Sequence, residues 1–274
     1  MSVLAPDRGP ALNRAFILGV GVSAITLEQA VSTIEGWIER RSRNYVCVTG
    51  AHGVIECRRD PQLRLIHNRA GMVTPDGMPL VFTARCLGFR PVSRVYGPDL
   101  MRRLTEISSQ KGYRQFYYGG GTGLAERLAT TLRGRYPALQ VVGTLTPPFR
   151  PLTPEEDDAV VAQINAADPD IVWVGLSTPK QEMWMASHVG RLKAPVLVGV
   201  GAAFDFLSGA KSQAPVWMQR SGLEWAYRLA QEPRRLWKRY GRIVPLFLTL
   251  AVAQIVFHRL GARAVEDNWS VTRK

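Results

Sequence analysis

The chain is poor in acid. Its 274 residues carry 22 Asp and Glu against 35 Lys and Arg, a formal net charge of +13. Such an excess suits phosphorylated substrates, anionic lipid headgroups or nucleic acid, and does not choose among them. Cysteine is scarce as well: Cys47, Cys57 and Cys86, with no CxxC pair. A zinc site is thereby disfavoured, and the three read as buried thiols in a reducing cytoplasm. The histidines, His52, His67, His188 and His258, are scattered, and no His/Asp/Glu cluster has metal-ligand spacing. Internal repeats and low-complexity tracts are missing. The N-terminal stretch, 1–13, is polar and Pro-containing; it lacks the apolar core of a signal peptide and is expected to be a flexible tail.

Hydrophobic residues are plentiful, at 46%. That is ample for a buried core, and the length suits one large domain or a domain plus an appendage. From Arg14 to about Gly209, short apolar runs alternate with helix-period segments. Strands are expected at Ala15–Gly19, Asn44–Thr49, Arg114–Tyr118, Leu139–Gly143, Ile171–Gly175 and Val196–Val200. Helices are expected at Thr26–Arg40, Pro98–Gln110, Gly123–Arg133, Pro154–Asn165 and Pro179–Leu192. Thr153, Pro154 and Glu156 write a capping box with proline at the first helical position. Near-continuous apolar strands separated by helices predict an α/β fold, Rossmann-like, with a mostly parallel sheet covered on both faces.

Ligands in such sheets bind outside the carboxyl ends of the strands, and three stretches fall there. Tyr118-Gly-Gly-Gly-Thr-Gly123 follows a strand and opens a helix, so Gly119, Gly120 and Gly121 can bring backbone N–H groups to a phosphate. Its spacing does not satisfy GxGxxG, which weakens a nicotinamide dinucleotide reading; a Gly-rich turn without ligand explains it equally. Val174-Gly-Leu-Ser-Thr-Pro-Lys-Gln-Glu182 puts Lys180, Gln181 and Glu182 in a first helical turn, where Lys180 opposes the helix dipole and is a candidate for a ligand phosphate. Val198-Gly-Val-Gly-Ala-Ala-Phe-Asp205 is small enough for close approach of a bulky group. Asp168-Pro-Asp170 matches the DxD of metal-dependent sugar transferases, but it precedes a strand and belongs at the opposite edge.

Met72-Val-Thr-Pro-Asp-Gly-Met-Pro-Leu80 is the most informative stretch. It sets Asp76 in a turn between an apolar run and a helix, where Pro75 disfavours helix at the residue before it, Gly77 permits an unusual backbone angle just after the acid, and a scaffold can aim the acid at a ligand. A turn Asp or helix cap is the plainer alternative.

Beyond about Lys211 the alternation stops. Trp217, Trp225, Tyr227 and Trp237 are interleaved with arginines and lysines, among them Arg228 and Arg235, and then comes the apolar run Ile243 to Phe257. As a helix that run spans roughly 22 Å, short of the ~30 Å hydrocarbon layer. A basic aromatic stretch before an apolar helix fits a segment lying in a membrane interface. Packing on the domain, or on a second subunit as a homo-oligomer, is the alternative. The expected division is therefore a tail at 1–13, an α/β catalytic domain at 14–210, and a basic, partly apolar helical C-terminal appendage at 211–274 that meets the membrane.

In order along the chain, these pieces resemble the bacterial WecG/TagA/CpsF glycosyltransferase family (glycosyltransferase family 26). The resemblance is carried by Val48-Thr49, Thr74-Pro-Asp-Gly77, Arg94-Val-Tyr-Gly-Pro-Asp-Leu100, Phe116-Tyr-Tyr-Gly-Gly-Gly121, Asp170-Ile-Val-Trp-Val-Gly-Leu176 with Pro179-Lys-Gln-Glu182, Gly199-Val-Gly-Ala-Ala-Phe-Asp205 and Leu223-Glu-Trp-Ala-Tyr-Arg-Leu229 with Glu232-Pro-Arg234. It spans about Phe16 to Arg239. It implies an inverting enzyme without a DxD-bound metal or other cofactor. The enzyme would move N-acetylmannosamine, its uronic acid or glucose from a UDP donor to a polyprenyl-diphosphate-linked saccharide. Its place would be peripheral, at the cytoplasmic face of the inner membrane, on an anionic surface and without nucleic acid as partner. Asp76 would be the general base. Thr49 and Arg94 would position substrates. Gly119, Gly120, Gly121, Gln181, Arg228 and Arg235 would meet the leaving diphosphate. The family's second strand runs into Thr-x-Asn, whereas this chain has Thr49-Gly50-Ala51 with His52 beside the missing amide. The rival readings are an RNA-binding protein, from the charge and the Trp/Arg interleaving, and another nucleotide-dependent α/β enzyme.

Overall fold

The computed structural model describes the backbone of residues 12–271 and the side chains as far as residue 261, apart from that of Arg235. The predicted flexible tail therefore lies, up to residue 11, outside the described residues.

The first described elements form a two-stranded antiparallel hairpin, β1 (Arg14–Ile17) and β2 (Val20–Ser23), where one strand is expected from the sequence. The turn is Leu18-Gly19, both at positive φ. Then come α1 (Leu27–Glu39), β3 (Asn44–Thr49), α2 (Ala51–Arg59), α3 (Pro61–Arg69), β4 (Met72–Pro75) and α4 (Met78–Cys86). Two helices, α2 and α3, fill a stretch with no expected element; Asp60 starts α3 by accepting from the Gln62 and Leu63 N–H groups. The next elements are α5 (Gly97–Lys111), β5 (Arg114–Gly119), α6 (Leu124–Arg135), β6 (Gln140–Leu145) and α7 (Pro154–Ala167). The capping box forms as expected: Glu156 N–H donates to Thr153 Oγ1 at 3.3 Å, and Thr153 N–H to Glu156 Oε2 at 2.9 Å. β7 (Ile171–Gly175), α8 (Lys180–His188), β8 (Val196–Gly199) and α9 (Ala203–Leu207) complete the α/β part. The C-terminal part is α10 (Val216–Ser221), α11 (Glu224–Gln231) and α12 (Pro233–Val271).

Six strands form one parallel sheet in the order β4-β3-β8-β7-β5-β6. Alternate strand residues sort onto its two faces. Cys47, Phe116, Tyr118, Val172 and Val174 pack with α2, α3, α4, α7 and α8. Val46, Val48, Tyr117, Ile171 and Trp173 pack with α1, α5, α6 and α9. The period-2 split explains why the strands read as unbroken apolar runs. The chain runs outward from β3 to β4, then crosses to β5 on the far side, so winding reverses between β3 and the later strands. Ligands bind at such a reversal.

The apolar helix departs from the sequence expectation. α12 is continuous well beyond the apolar run, and Leu236–Gly261 is long and apolar enough to cross a membrane by length and composition; 17% of its most apolar window is buried. Its inner face packs on the domain: Ile243, Phe247 and Ala251 join the same core cluster as α2, α3 and α4. Gln254, a polar residue inside the apolar run, ties the helix to the hairpin by donating to the Phe16 carbonyl (2.6 Å) and accepting from Leu18 N–H (2.9 Å). The outer face leaves Leu246, Leu248, Val252, Val256, Phe257 and Leu260 exposed.

The glycine turn has a packing explanation. Gly119 has φ of +115°, and a Cβ there would stand 2.8 Å from the Gly175 backbone. Gly119→Ala is expected to lose about 2–4 kcal/mol in urea denaturation, from strain plus backbone clash. Gly121 has open space around it, so Gly121→Ala is expected to fold normally and to keep its KM for donor. A large rise in that KM would restore a phosphate role to the turn.

Candidate functional site

The reversal point holds a cavity of about 640 Å³, a size typical of small-molecule sites. Thr49 enters it from the end of β3, Asp76 from just after β4, Ser177 and Thr178 from the β7–α8 turn, Gln181 from the first turn of α8, and Gly201 from beyond β8. Arg94, Gln219, Glu224, Arg228 and Arg239 close it from α10 to α12 and the loop before α5. Thus Thr49, Asp76, Arg94, Gln181 and Arg228, distant in sequence, share one site. Gly119, Gly120 and Gly121 are not in its lining; β7 separates their strand from β8. The Arg235 side chain lies outside the described residues. Lys180 is also not in the lining, and its ammonium sits 4.7 Å from the Phe149 ring. Asp168 and Asp170 are at the amino edge, as expected, where they pair with Arg41 and Arg114.

Asp76 is held by three hydrogen bonds, two to backbone groups and one from a side chain. Its N–H donates to the Thr49 carbonyl (3.0 Å), prolonging the β3–β4 pairing, and its carbonyl accepts from Arg94 Nε (3.3 Å). Gly97 N–H, the first of α5, donates to Asp76 Oδ1 at 3.2 Å. A helix start favours an ionised carboxyl, yet removal from water dominates. Burial first, and then the Glu224 carboxylate, push Asp76 up to about 7 against the pull of Arg94, Arg228 and the Gly97 N–H. A carboxyl that exchanges its proton near neutrality suits a general base.

Beside it stands a compact ionic cluster in which Arg94 and Arg228, both expected from the sequence, meet Glu224, Tyr96 and Gln219, which sequence reasoning did not place in the site. Arg94 Nη2 donates to Glu224 Oε2 (2.5 Å) and Nη1 to Gln219 Oε1 (2.9 Å). Tyr96 OH and Arg228 Nη2 both donate to Glu224 Oε1, at 3.0 and 2.6 Å. The Arg94 guanidinium lies 3.8 Å from the centre of the Tyr96 ring, and that of Arg228 lies 5.2 Å from the Phe206 ring. Burial opposes the charge on Arg228, but Glu224, Tyr96 and Asp76 outweigh it and hold its proton firmly. Arg228 Nε is buried and unpartnered among the described residues, a donor that an anionic ligand would satisfy. In sequence, Glu224 and Arg228 are an ordinary i,i+4 pair, the pattern of a solvated helix face.

Gln181 is oriented by its neighbour. Glu182, fully buried, accepts from Thr178 Oγ1 (2.8 Å) and from Gln181 Nε2 (3.1 Å) through one oxygen. The Gln181 carbonyl oxygen is unpartnered among the described residues and lies beside Gly201, on the cavity wall. His52 also lines the cavity, next to Ala51. Burial, then Arg239 and Arg59, press its pKa down to about 4, so its 3.6 Å approach to Glu56 at neutral pH is not an ion pair. A neutral imidazole offers one donor and one acceptor where an amide offers more of each. Among the described residues no group of three His, Cys, Asp or Glu could hold a metal ion.

N-acetylglucosaminyldiphosphoundecaprenol N-acetyl-beta-D-mannosaminyltransferases from Staphylococcus aureus strains MW2 and COL are each 29% identical to the chain over 237 residues, covering 85% of it and 89% of the relative. The model of the Glycosyl transferase WecG/TagA/CpsF family matches residues 15–261, from the hairpin through most of α12, and the chain belongs to that family of glycosyltransferases.

Proposed function

We propose that the chain transfers a hexose or N-acetylhexosamine — N-acetylmannosamine, its uronic acid or glucose — from a UDP donor to a polyprenyl-diphosphate-linked saccharide, with inversion. The observation that carries this is Asp76, with its pKa near 7, facing the same cavity as Arg94, Arg228 and Arg239. Asp76 takes the proton of the acceptor hydroxyl as that oxygen attacks the anomeric carbon. The bond to the donor diphosphate breaks on the opposite face, and UDP leaves with the electron pair. Arg228, with its spare buried Nε–H, stabilises the charge that grows on the leaving oxygens, and no step is assigned to a metal. Gln181 and Thr49 orient the donor, and Arg94 holds the Asp76 turn.

The same reading places the protein peripherally at the cytoplasmic face of the inner membrane. α12 lies along the surface, because its inner face is occupied by the domain down to Gln254. Exposed Trp217 and Trp237 and exposed Arg234, Lys238 and Arg242 suit an anionic interface. The test is a panel of UDP-sugars with N-acetylglucosamine diphosphate on a short isoprenoid chain, read by mass spectrometry of the product. One or two donors are expected to yield a lipid-linked disaccharide of inverted configuration. No transfer from any UDP-sugar, or a product of retained configuration, would overturn the reading.

A further inference from the structure

The Asp76 cavity changes character along its length. On α4, Met78 stands two residues after Asp76, and Phe82 and Cys86 follow at one-turn intervals on the same wall. Cys86 is about 12 Å further along the helix than Met78. Facing them, α12 lines the cavity with Arg239 and Tyr240, and then with hydrocarbon alone: Ile243, Phe247, Leu248, Ala251, Val252 and Ile255. That apolar stretch is roughly 18 Å long. Ile243, Phe247 and Ala251 form a buried floor, while Phe82, Leu248 and Val252 are about half exposed at the lip. The result is a trough that starts at a carboxylate, passes an arginine and a tyrosine, and ends as an open apolar channel.

We propose that this trough between α4 and α12 binds the isoprenoid tail of the acceptor. The acceptor sugar then lies at Asp76 and its diphosphate against Arg239. The assignment rests on the function proposed above and adds to it a seat for the lipid. Two features favour this occupant. The order sugar, diphosphate, hydrocarbon in one molecule matches the order carboxylate, cation, apolar wall in one continuous cavity. The open lip also lets a long chain leave sideways into a bilayer, which a closed pocket would forbid. A second copy of the chain or a bilayer acyl chain could cover apolar residues, but neither would require the trough to run into the Asp76 cavity. Burying the tail here also gives Phe82, Leu248 and Val252, otherwise exposed to water, an apolar neighbour.

Cys86 reports on the trough directly. The sequence expectation was three buried thiols; Cys47 and Cys57 are buried but Cys86 is exposed, so a thiol reagent on the folded protein reads this wall alone, with Cys86→Ser as the blank. The experiment follows maleimide labelling of the full-length protein in phospholipid nanodiscs. The additions are N-acetylglucosamine diphosphate on a long isoprenoid chain, the same head on a geranyl-length chain, and the chainless sugar diphosphate. At ten times its dissociation constant the long-chain compound is expected to slow labelling about tenfold, the geranyl compound less, and the chainless compound hardly at all. Val252→Trp, at the exposed lip, is expected to raise KM for the long-chain acceptor several-fold more than for the geranyl one. Equal labelling with and without the long-chain compound would overturn the assignment. So would full protection by the phospholipid of the nanodisc alone, or labelling that falls with protein concentration and so reports a second copy. If transfer proceeds with the geranyl acceptor while Cys86 is never protected, the enzymatic reading stands and only the trough is lost; if no acceptor is used at all, the enzymatic reading fails first.

Discussion

Asp76→Asn is expected to lower turnover by ~10²–10⁴-fold, the usual worth of a positioned general base, while the affinity for UDP-sugar stays close to that of the parent. Asparagine keeps the shape of the side chain and can still accept from Gly97 N–H, so the cavity should survive the change. Single-turnover assays with saturating donor, alongside calorimetric titration of UDP, separate the two effects. Turnover within a few-fold of the parent would remove Asp76 from the base role. A matching collapse in UDP affinity would make it a donor ligand instead.

The same carboxyl has a pH signature. The base works only when ionised, so kcat/KM should climb with pH through about 7 and level off above it; D76N should lack that limb. Stability moves the other way. The folded state holds the Asp76 proton more tightly than the unfolded chain does, because its pKa is raised from an ordinary 3.8 to about 7. Ionising it therefore costs stability progressively as pH rises from about 4 to 7, and the cost is complete above 7. D76N should melt a few degrees higher than the parent at pH 8 and show no such advantage at pH 4. A base that destabilises its own fold at working pH is a stability cost retained for function.

Much of this site was legible from spacing. Pro75 and Gly77 announced a displayed acid, and the parallel sheet placed it at the carboxyl edge, where it is found. The apolar runs gave five of the six sheet strands, because strands buried on both faces read as continuous hydrophobics; β4 registered only as an apolar run before the Asp76 turn. The hairpin was missed because its turn is Leu18-Gly19, and leucine at positive φ is not a residue from which a turn is inferred. The glycine turn was read correctly as a strand-to-helix corner, but strand order is a tertiary property. Nothing in residues 118–123 says that β7 will intervene between them and the site. Glu224 stayed hidden because only the fold brings Arg94 and Tyr96, about 130 positions earlier, to an i,i+4 pair that looks solvated on its own helix. Cys86 was assigned to the core by residue type, yet it falls on the wall that α4 turns toward α12.

Glu224→Ala should be the most damaging single change in the C-terminal part. The carboxylate accepts from Arg94, Tyr96 and Arg228 at once, with the Arg94 and Glu224 side chains 13% and 17% exposed. Removing it takes the hydrogen-bonded carboxylate from two guanidinium groups and leaves Asp76 as a more distant counter-charge, and breaking a buried pair in this way costs about 3 kcal/mol or more. The loss should be local first. α10 and α11 follow the irregular stretch 208–215 and are held by this cluster together with the packing of α10 on α4 and of α11 on α12, so limited proteolysis is expected to cut at 208–215 in E224A before the core unfolds. Glu224→Gln separates charge from shape. Glutamine can still accept from Arg94 or Tyr96, but Glu224 no longer raises Asp76, while Arg94 and Arg228 still pull it down. The acid limb of the pH–rate profile should therefore move below 7 in E224Q, toward a weaker base active at lower pH. An unchanged limb in a folded E224Q protein would mean that burial alone sets the Asp76 proton, and that the appendage closes the site without tuning it.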